Sequence, residues 1–215
     1  MNPEGTKQRI LEAAETLFAE RGFAATSLRA ITAEAGVNLA AVHYHYGSKE
    51  ALFGHVFARR IGPVNDERLR ALDALEAGSE TPPSIEAVLE ALLRPALQLA
   101  KSPGGSQFMR LAGRIYTEPG THWEAVGEQF EEVRDRFLGV LHRSVPDLSP
   151  TDLFWRANFT IGVMCHAMSD THRLAMISDG QCNSADVETL LNQMVPFLAG
   201  GFRAPVVAPV EGGDA

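Results

Sequence analysis

The 215-residue sequence has only two cysteines, Cys165 and Cys182, and no apolar run long enough to span a membrane. Two cysteines with this spacing form neither a disulfide framework nor a metal-binding pair, and they fit a reducing compartment. A membrane-spanning helix needs about 20 consecutive apolar residues. The first residues, MNPEGTKQ, also lack the apolar core of a signal peptide. We therefore expect a cytoplasmic protein that does not enter a membrane.

The sequence also lacks the motifs that mark common enzyme classes. It contains no HExxH, no GxSxG and no phosphate-binding loop. His43 and His45 are two residues apart and point away from each other on a helix, which argues against a shared metal ion. Cys165 and His166 are adjacent and face different sides, so they form no nucleophile pair. We expect no catalytic residue, no metal ligand and no cofactor, and therefore no enzyme.

An overall excess of positive charge, common in nucleic-acid-binding proteins, is missing as well. The formal net charge is −8, from 19 Lys and Arg against 27 Asp and Glu. Residues 1–60 nevertheless hold seven basic and six acidic residues, a net charge of +1, whereas residues 61–215 hold twelve and twenty-one, a net charge of −9. This asymmetry predicts that any DNA-facing surface lies in the N-terminal part of the chain.

The stretch from Thr26 to Lys49 has the pattern of two short helices joined by a tight turn. Ser27 is a favourable N-cap for the first helix, and Gly36 suits the left-handed conformation that ends it. Asn38 is expected to cap the second helix. Ser48 then caps a further helix, whose first turn offers backbone N–H groups and Lys49 to a phosphate. The alternative is a helical hairpin in an ordinary all-α domain.

The second short helix is predicted to bury only Leu39 and Val42. Its two alanines are small enough to let a partner approach, and hydrogen-bonding aromatic residues follow them. This combination suits a helix that enters the major groove of DNA. The residues predicted to contact DNA are Ser27, Arg29, Asn38, Ala40, Ala41, His43, Tyr44, His45 and Lys49.

Apolar residues at helical spacing predict an all-α chain. Proline and glycine at Gly62-Pro63 predict a kink or break in the helix that starts at Lys49. Arg59 and Arg60 before it are expected to be solvated surface residues, with DNA contacts as the alternative. The predicted helices span residues 5–21, 49–78, 84–99, 107–117, 119–143, 151–177 and 184–202. Residues 203–215 are predicted to be a disordered tail.

Large apolar side chains are frequent in the acidic part of the chain and predict either a packed core or a ligand cavity. Arg110 and Arg114 lie one helical turn apart, so each needs a carboxylate, a phosphate or water. They are expected either to pair with acids such as Glu131, Glu132 or Asp135, or to anchor the acidic head of a ligand. The residues predicted to contact a ligand are Phe108, Arg110, Leu111, Arg114, Phe137, Trp155, Phe159 and Met164.

Two segments, RILEAAETLFAERGFAATSLRAITAEAGV and AAVHYHYGSKEALF, resemble the N-terminal domain of the TetR family of transcriptional repressors. The resemblance covers residues 7–53. It implies an N-terminal three-helix helix-turn-helix domain, residues 5–53, and a C-terminal helical ligand-binding and dimerisation domain, residues 54–202. The sequence His43-Tyr44-His45-Tyr46 replaces the Tyr-Tyr-His-Phe of many members, so their base preference is not transferred.

Further patches, among them ARRIGP, FMRL, DLFWR and MVPF, are similar to the PsrA-type subgroup, which senses fatty acids. This similarity implies a homodimer built on residues 152–177 and 184–202, which binds double-stranded operator DNA. It also implies release from DNA by a small apolar effector, a long-chain fatty acid or acyl-CoA. Two alternatives stay open: a regulator of multidrug efflux or aromatic catabolism, and a lipid-binding carrier without DNA recognition.

Overall fold

The computed structural model describes residues 3–78, 80–100, 102–117, 122–169, 173–184 and 186–206, without the side chains of Pro3, Arg110, Arg114, Tyr116, Thr117, His122, Trp123 and Ser169. Within these segments every regular element is a helix and no β-strand occurs, so the predicted all-α fold is confirmed. The helices are α1 (Pro3–Ala25), α2 (Leu28–Ala35), α3 (Leu39–Tyr46), α4 (Lys49–Glu76), α5 (Ile85–Leu99), α6 (Gly105–Thr117), α7 (His122–Val126), a 3-10 segment (Gly127–Phe130), α8 (Glu131–Ser144), α9 (Pro150–Ser169), α10 (Arg173–Ile177) and α11 (Val187–Arg203).

Helices α1, α2 and α3 and the start of α4 enclose a small apolar core. Gly22 interrupts α1 with φ 80° and ψ 169°, a backbone conformation that a residue with a β-carbon rarely adopts. The chain therefore turns there, and Phe23 folds back against Phe18 and Phe53, with ring centroids 5.7 and 5.0 Å away. The buried Thr26 closes the turn, since its hydroxyl donates to the carbonyl of Gly22 at 2.8 Å.

Helix α4 connects this small core to the rest of the molecule. It runs as one helix through Pro63, so of the predicted kink or break only the break is wrong. Ile61 and Val64 on either side of the proline are buried, and their packing holds the helix together where one backbone hydrogen bond is missing. The N-terminal core and the C-terminal helices are thus joined by one uninterrupted helix of 28 residues.

The expectation that Arg59 and Arg60 are solvated is wrong for Arg60. Its guanidinium forms an ion pair with Glu15 on α1 and donates a hydrogen bond to the carbonyl of Pro103 at 3.4 Å. Arg59 is more exposed and lies 3.8 Å from the same carboxylate. Arg60 therefore links α1 and α4 to the loop that precedes α6.

The single helix predicted over residues 119–143 is wrong. The chain forms α7, then the 3-10 segment, then α8, because residues 122–126 pack against α4 and the chain must tighten at Gly127 to continue along it. Of the helix predicted over 151–177, residues 151–169 and 173–177 are helical, in α9 and α10, and residues 170–172 lie outside the described part.

The last helix begins later and ends later than predicted. Asp186 caps α11, since its carboxylate accepts a hydrogen bond from the backbone N–H of Thr189 at 3.2 Å. Arg203 is the last residue of α11, and its guanidinium donates to both carboxylate oxygens of Glu86 at 2.6 and 2.7 Å. The tail predicted from residue 203 is therefore wrong for Arg203, while residues 207–215 lie outside the described residues.

Gly54 allows α7 to approach α4 closely. A β-carbon at Gly54 would lie 2.6 Å from the carbonyl oxygen of Ala125, a backbone atom that cannot rotate away. We expect Gly54→Ala to lower the free energy of unfolding, measured by urea denaturation, by about 1–3 kcal/mol. Gly139→Ala in α8 is the matched control, because its β-carbon meets no atom within 4 Å. Equal stability of the two variants would contradict this packing.

Candidate DNA interface and ligand cavity

Helices α2 and α3 form a helix-turn-helix whose caps are confirmed. The Ser27 hydroxyl accepts a hydrogen bond from the N–H of Ala30 at 3.1 Å, and the Asn38 side-chain oxygen accepts one from Ala41 at 2.9 Å. Gly36 has φ 63° and ψ 42°, the left-handed conformation that ends α2. Each cap fixes one end of the turn, so the angle between the helices follows from local side-chain chemistry.

Helix α3 is anchored by Val42 and Tyr46, which are both buried. The Tyr46 hydroxyl donates to the carbonyl of Lys7 on α1 at 2.9 Å, and burial raises the pKa of Tyr46. The prediction that Leu39 is buried is wrong, because 39% of it is exposed. The i, i+4 spacing of Val42 and Tyr46 was the signal for the true buried face.

The opposite face of α3 is open to solvent. Leu39, Ala40, His43 and Tyr44 lie on this face, and 84% of Tyr44 is exposed. A tyrosine this exposed adds nothing to the core, whereas it supplies an aromatic surface and a hydroxyl to a partner. Leu39 was not predicted as a contact, yet an apolar side chain on this face can meet a thymine methyl group in the major groove.

The hydrogen bond of the His43 ring determines which base groups the ring can recognise in DNA. Nδ1 lies 2.8 Å from the carbonyl oxygen of Gly47. A carbonyl only accepts, so Nδ1 is the donor, and in the neutral form of the ring Nε2 is then an acceptor. In the major groove such an acceptor matches the amino group of adenine or cytosine. His45, by contrast, is half-buried with its ring beside Tyr46.

Polar groups suited to phosphate flank α3. Ser27 and Arg29 are exposed at the start of α2. Lys49 begins α4, where the capping hydroxyl of Ser48 accepts from the N–H of Ala51 at 3.0 Å. The Lys49 ammonium lies 4.1 Å above the ring of Phe23, and partial burial lowers its pKa. A DNA phosphate beside Lys49 would have the opposite effect on its pKa, because a negative charge stabilises the ammonium cation.

A second feature is a cavity of about 630 Å³ in the C-terminal helices, within the usual size of a small-molecule site. Of the predicted ligand residues, Phe137 and Met164 line it. The described side chains around it come from α4, α5, the segment from α7 to α8, and α9: Arg68, Leu89, Leu92, Glu124, Glu128, Phe130, Glu131, Val133, Arg134, Phe137, Leu138, Leu141, Phe154, Ala157, Asn158, Thr160, Ile161 and Met164.

The remaining predicted ligand residues lie elsewhere or outside the described part. Phe108 and Leu111 are buried on α6 and do not line the cavity; the Phe108 ring lies 5.1 Å from that of Phe57. Trp155 and Phe159 form an exposed pair on α9, with centroids 5.9 Å apart. The side chains of Arg110 and Arg114 are outside the described residues, and Asp135 pairs with Arg134 at 2.8 Å.

The cavity wall contains a buried cation that the sequence analysis missed. Arg68 is 3% exposed, and its guanidinium donates to the carbonyl of Leu92 at 2.8 Å and to the side-chain oxygen of Asn65 at 3.0 Å. Its third described contact is the sulfur of Met164 at 3.6 Å. The charged segment around Arg68 suggests a solvated face. Arg68 lies four residues from buried Val64 and four from buried Leu72, and this spacing was the available signal that its side chain is buried.

An exposed apolar face runs along α9 and α11. Phe154, Trp155 and Phe159 on α9 are each more than half exposed, and Phe197 on α11 is 70% exposed. Large exposed aromatic residues on neighbouring helices are typical of a protein interface. Arg156 holds the two helices together, since its guanidinium donates to the carbonyls of Gly201, Phe202 and Ala204 at 2.9, 2.5 and 2.8 Å.

Other kinds of site are not found in the described segments. They contain no group of three or more His, Cys, Asp or Glu side chains placed to hold a metal ion. None of their helices is both long and apolar enough to cross a membrane. Cys182 is exposed and Cys165 buried, and burial raises the pKa of the Cys165 thiol to about 11, so this thiol stays protonated and unreactive at neutral pH.

Comparisons with known proteins match both parts of the chain. Residues 10–56 match the family described as bacterial regulatory proteins, tetR family, and residues 90–201 match the tetracyclin repressor-like C-terminal domain. The HTH-type transcriptional regulator YerO of Bacillus subtilis is 46% identical over 216 aligned positions, which cover 97% of this chain and 69% of the relative.

Two further proteins show the same relationship. The HTH-type transcriptional repressor KstR2 of Rhodococcus jostii is 25% identical over 207 positions, covering 94% of this chain and 93% of the relative. The crystal structure of the regulator FadR from Bacillus subtilis in complex with stearoyl-CoA superimposes with a TM-score of 0.64 at 15% identity, covering 90% of this chain and 98% of that one. At that identity the likeness shows the fold alone.

Proposed function

The chain belongs to the TetR family of DNA-binding transcriptional regulators, and we propose that it is a repressor released from its operator by an apolar ligand held in the cavity. In this proposal residues 5–53 bind DNA and residues 54–202 hold the ligand and a second copy of the chain. The observation that carries it is the position of α4, which begins at Lys49 directly after α3 and contributes Arg68 to the wall of the cavity.

Helix α4 provides a direct mechanical connection between the two sites. Lys49 is its first residue, and Arg68 in the cavity wall lies 19 residues later, about 28 Å along the helix axis. The 3-10 segment rests on the same helix, since the side-chain amide of Asn65 donates to the carbonyl of Gln129 at 2.6 Å. A ligand that moves the 3-10 segment therefore moves α4.

Aromatic contacts extend this connection to the DNA-facing surface. Phe130 lines the cavity, and its ring lies 5.9 Å from Phe57 on α4. The ring centroid of Phe57 lies 6.2 Å from that of Phe53, which lies 5.0 Å from that of Phe23. The ammonium of Lys49 lies over the Phe23 ring, 4.1 Å from its centroid. We propose that a ligand displacing Phe130 shifts this row of rings and with it α3. To release DNA, the ligand needs only a higher affinity for the shifted conformation than for the DNA-binding one.

The exposed faces of α9 and α11 support a homodimer. A two-fold axis through Trp155, Phe159 and Phe197 would bury all three against their copies in an isologous four-helix contact. Each protomer would then present one α3 helix, and the two helices would reach successive major grooves about 34–36 Å apart, or a multiple of that, on a near-palindromic site. A ligand that changes this separation lowers affinity for both half-sites together.

A long-chain fatty acid or its CoA thioester is the proposed effector. Eleven apolar side chains in the described wall favour an aliphatic chain. A regulator of the same fold was crystallised with stearoyl-CoA, which supports the choice of a lipid. Membership of the PsrA-type fatty-acid-responsive subgroup and action in the cytoplasm are part of this proposal.

Binding to DNA from upstream of its own gene tests the proposed function. Fluorescence anisotropy is expected to show saturable binding that weakens linearly on a log–log plot against salt, because phosphate contacts release counterions. An unrelated fragment of equal length is the control and is expected to bind more weakly. Oleate is expected to release the specific fragment. Equal affinity for both fragments would contradict the repressor, and oleate binding without any DNA binding would favour a lipid carrier.

A further inference from the structure

Gly47, between α3 and α4, holds the chain in a strained turn. Its backbone has φ 77° and ψ −66°, and the N–H of Ser48 donates to the carbonyl of Tyr46 at 2.9 Å. These values define a γ-turn of the rare, strained kind. A β-carbon at Gly47 would meet no atom within 4 Å, so the backbone conformation, and not a lack of space, requires glycine here. Such strain is frequent at functional sites, where the surrounding structure maintains it.

Both neighbours of Gly47 are anchored, which holds the turn in place. Tyr46 before it is buried, and its hydroxyl donates to the carbonyl of Lys7 at 2.9 Å. Ser48 after it caps α4, since its hydroxyl accepts from the N–H of Ala51 at 3.0 Å. The direction of the Gly47 carbonyl is therefore set by the packing of α1, α3 and α4 together.

Gly47 is joined to His43 by two hydrogen bonds. Its N–H donates to the His43 carbonyl at 3.0 Å, and its carbonyl accepts from Nδ1 of the His43 ring at 2.8 Å. The ring is thereby held at the exposed face of α3. Its Nε2 has no hydrogen-bond partner in the described part of the chain. An unused acceptor on a ring that is fixed and exposed suits the recognition of a donor.

From this geometry we propose that Gly47 is a positioning residue for base recognition. Its carbonyl fixes the orientation of the His43 ring and makes Nδ1 the donor. Nε2 then accepts a hydrogen bond from the amino group of one adenine or cytosine in each half-site. This inference rests on the proposed function and names the group that the exposed face of α3 recognises and the residue that makes this recognition possible.

The other DNA group within reach of an exposed side chain is a phosphate. Phosphate oxygens only accept hydrogen bonds, so they do not pair with the acceptor Nε2 of the neutral His43 ring. The donors in the major groove are the amino groups of adenine and cytosine, whereas guanine and thymine present acceptors there. The turn at Gly47 therefore directs His43 to a base and leaves phosphates to groups such as Lys49.

Operators that lack single amino groups test this inference. The full-length protein is titrated at pH 8, where imidazole is neutral, with an operator selected from random duplexes. In further copies of this operator, purine replaces one adenine, or pyrimidin-2-one replaces one cytosine, in both half-sites, so that the substituted base lacks its amino group. We expect one position at which wild-type affinity falls about 3- to 10-fold per half-site, the net effect of one hydrogen bond. His43→Phe keeps a ring without its nitrogens and is expected to be indifferent at that position.

Gly47→Ala separates positioning from general damage. It keeps His43 but moves the carbonyl away from Nδ1, and it is expected to lose the amino-group preference as His43→Phe does. Gly36→Ala is the matched control, because Gly36 also has a positive φ, 63°, and open space for a β-carbon, but forms no hydrogen bond with His43. This control is expected to keep the wild-type preference even where its overall affinity is lower. Circular dichroism checks that all variants keep their helices.

Nitrogen-15 NMR of the wild-type protein tests the positioning without relying on the folding of a variant. The neutral His43 ring is expected to carry its proton on Nδ1, and a proton on Nε2 would overturn the inference. So would a Gly47→Ala protein that discriminates like wild type, or an operator in which no amino group affects binding through His43. Sequence-specific binding without such dependence sinks the inference alone, whereas equal affinity for all DNA sinks the proposed function as well.

Discussion

Phe159→Glu is expected to convert the protein from a dimer to a monomer and to abolish tight operator binding. Phe159 is 59% exposed beside Trp155 on α9, and a charge there would be buried against its own copy across the two-fold axis. Sedimentation at micromolar concentration is expected to give about 23.3 kDa in place of twice that mass. Since two linked half-sites gain about 10²–10⁴-fold in affinity over one, operator binding should fall by a similar factor.

Phe159→Leu is the control for this experiment. It keeps an apolar surface at the same position and is expected to remain dimeric and bound to DNA. Circular dichroism checks that both variants keep their helices. A dimeric Phe159→Glu protein with unchanged operator affinity would show that the apolar face of α9 is not the contact between protomers.

Removing the exposed aromatic groups of α3 has the second large expected effect. Tyr44→Ala and His43→Ala should each cost about 1–3 kcal/mol per half-site, and about 2–6 kcal/mol in a dimer that carries the change twice. His43→Ala should also relax the preference at one base position, because Nε2 of His43 is the acceptor directed outward when Nδ1 donates to Gly47. Mobility-shift titrations with wild-type and single-substituted operators measure both quantities.

His142→Ala, an exposed histidine on α8, is the matched control and is expected to bind DNA normally. Neither His43 nor Tyr44 is part of the buried core, so their loss should leave the free energy of unfolding within about 0.5 kcal/mol of wild type. Normal operator affinity in both α3 variants would mean that another surface reads the DNA.

The N-terminal third was predictable because its structure depends on local chemistry. Ser27, Asn38 and Ser48 each cap a helix through their own side chains, and Gly36 supplies a conformation that other residues avoid. Such signals act over three or four residues, so the sequence contains them in full. The i, i+4 spacing of Val42 and Tyr46 indicates the buried face of α3, but the partner of the Tyr46 hydroxyl, the carbonyl of Lys7, lies 39 residues away and depends on tertiary packing.

The cavity was less predictable because its residues come from distant parts of the chain. Helix α9 is apolar almost all round, so its sequence cannot distinguish Met164, which lines the cavity, from Phe159, which faces outward. Arg68 looks like a surface residue until α5 and α9 are placed against it. The division of residues 122–144 also depends on packing, since Gly54 on α4 allows α7 to lie close.

Selection of binding sites from a random duplex library tests the central claim most directly. The purified wild-type protein is expected to enrich two inverted half-sites whose centres lie about 10–10.5 base pairs, or a multiple of that, apart, because α3 of each protomer reads one major groove. Recovery of no common sequence after repeated rounds, or of a single unrepeated half-site, would contradict a two-fold repressor that reads DNA through α3.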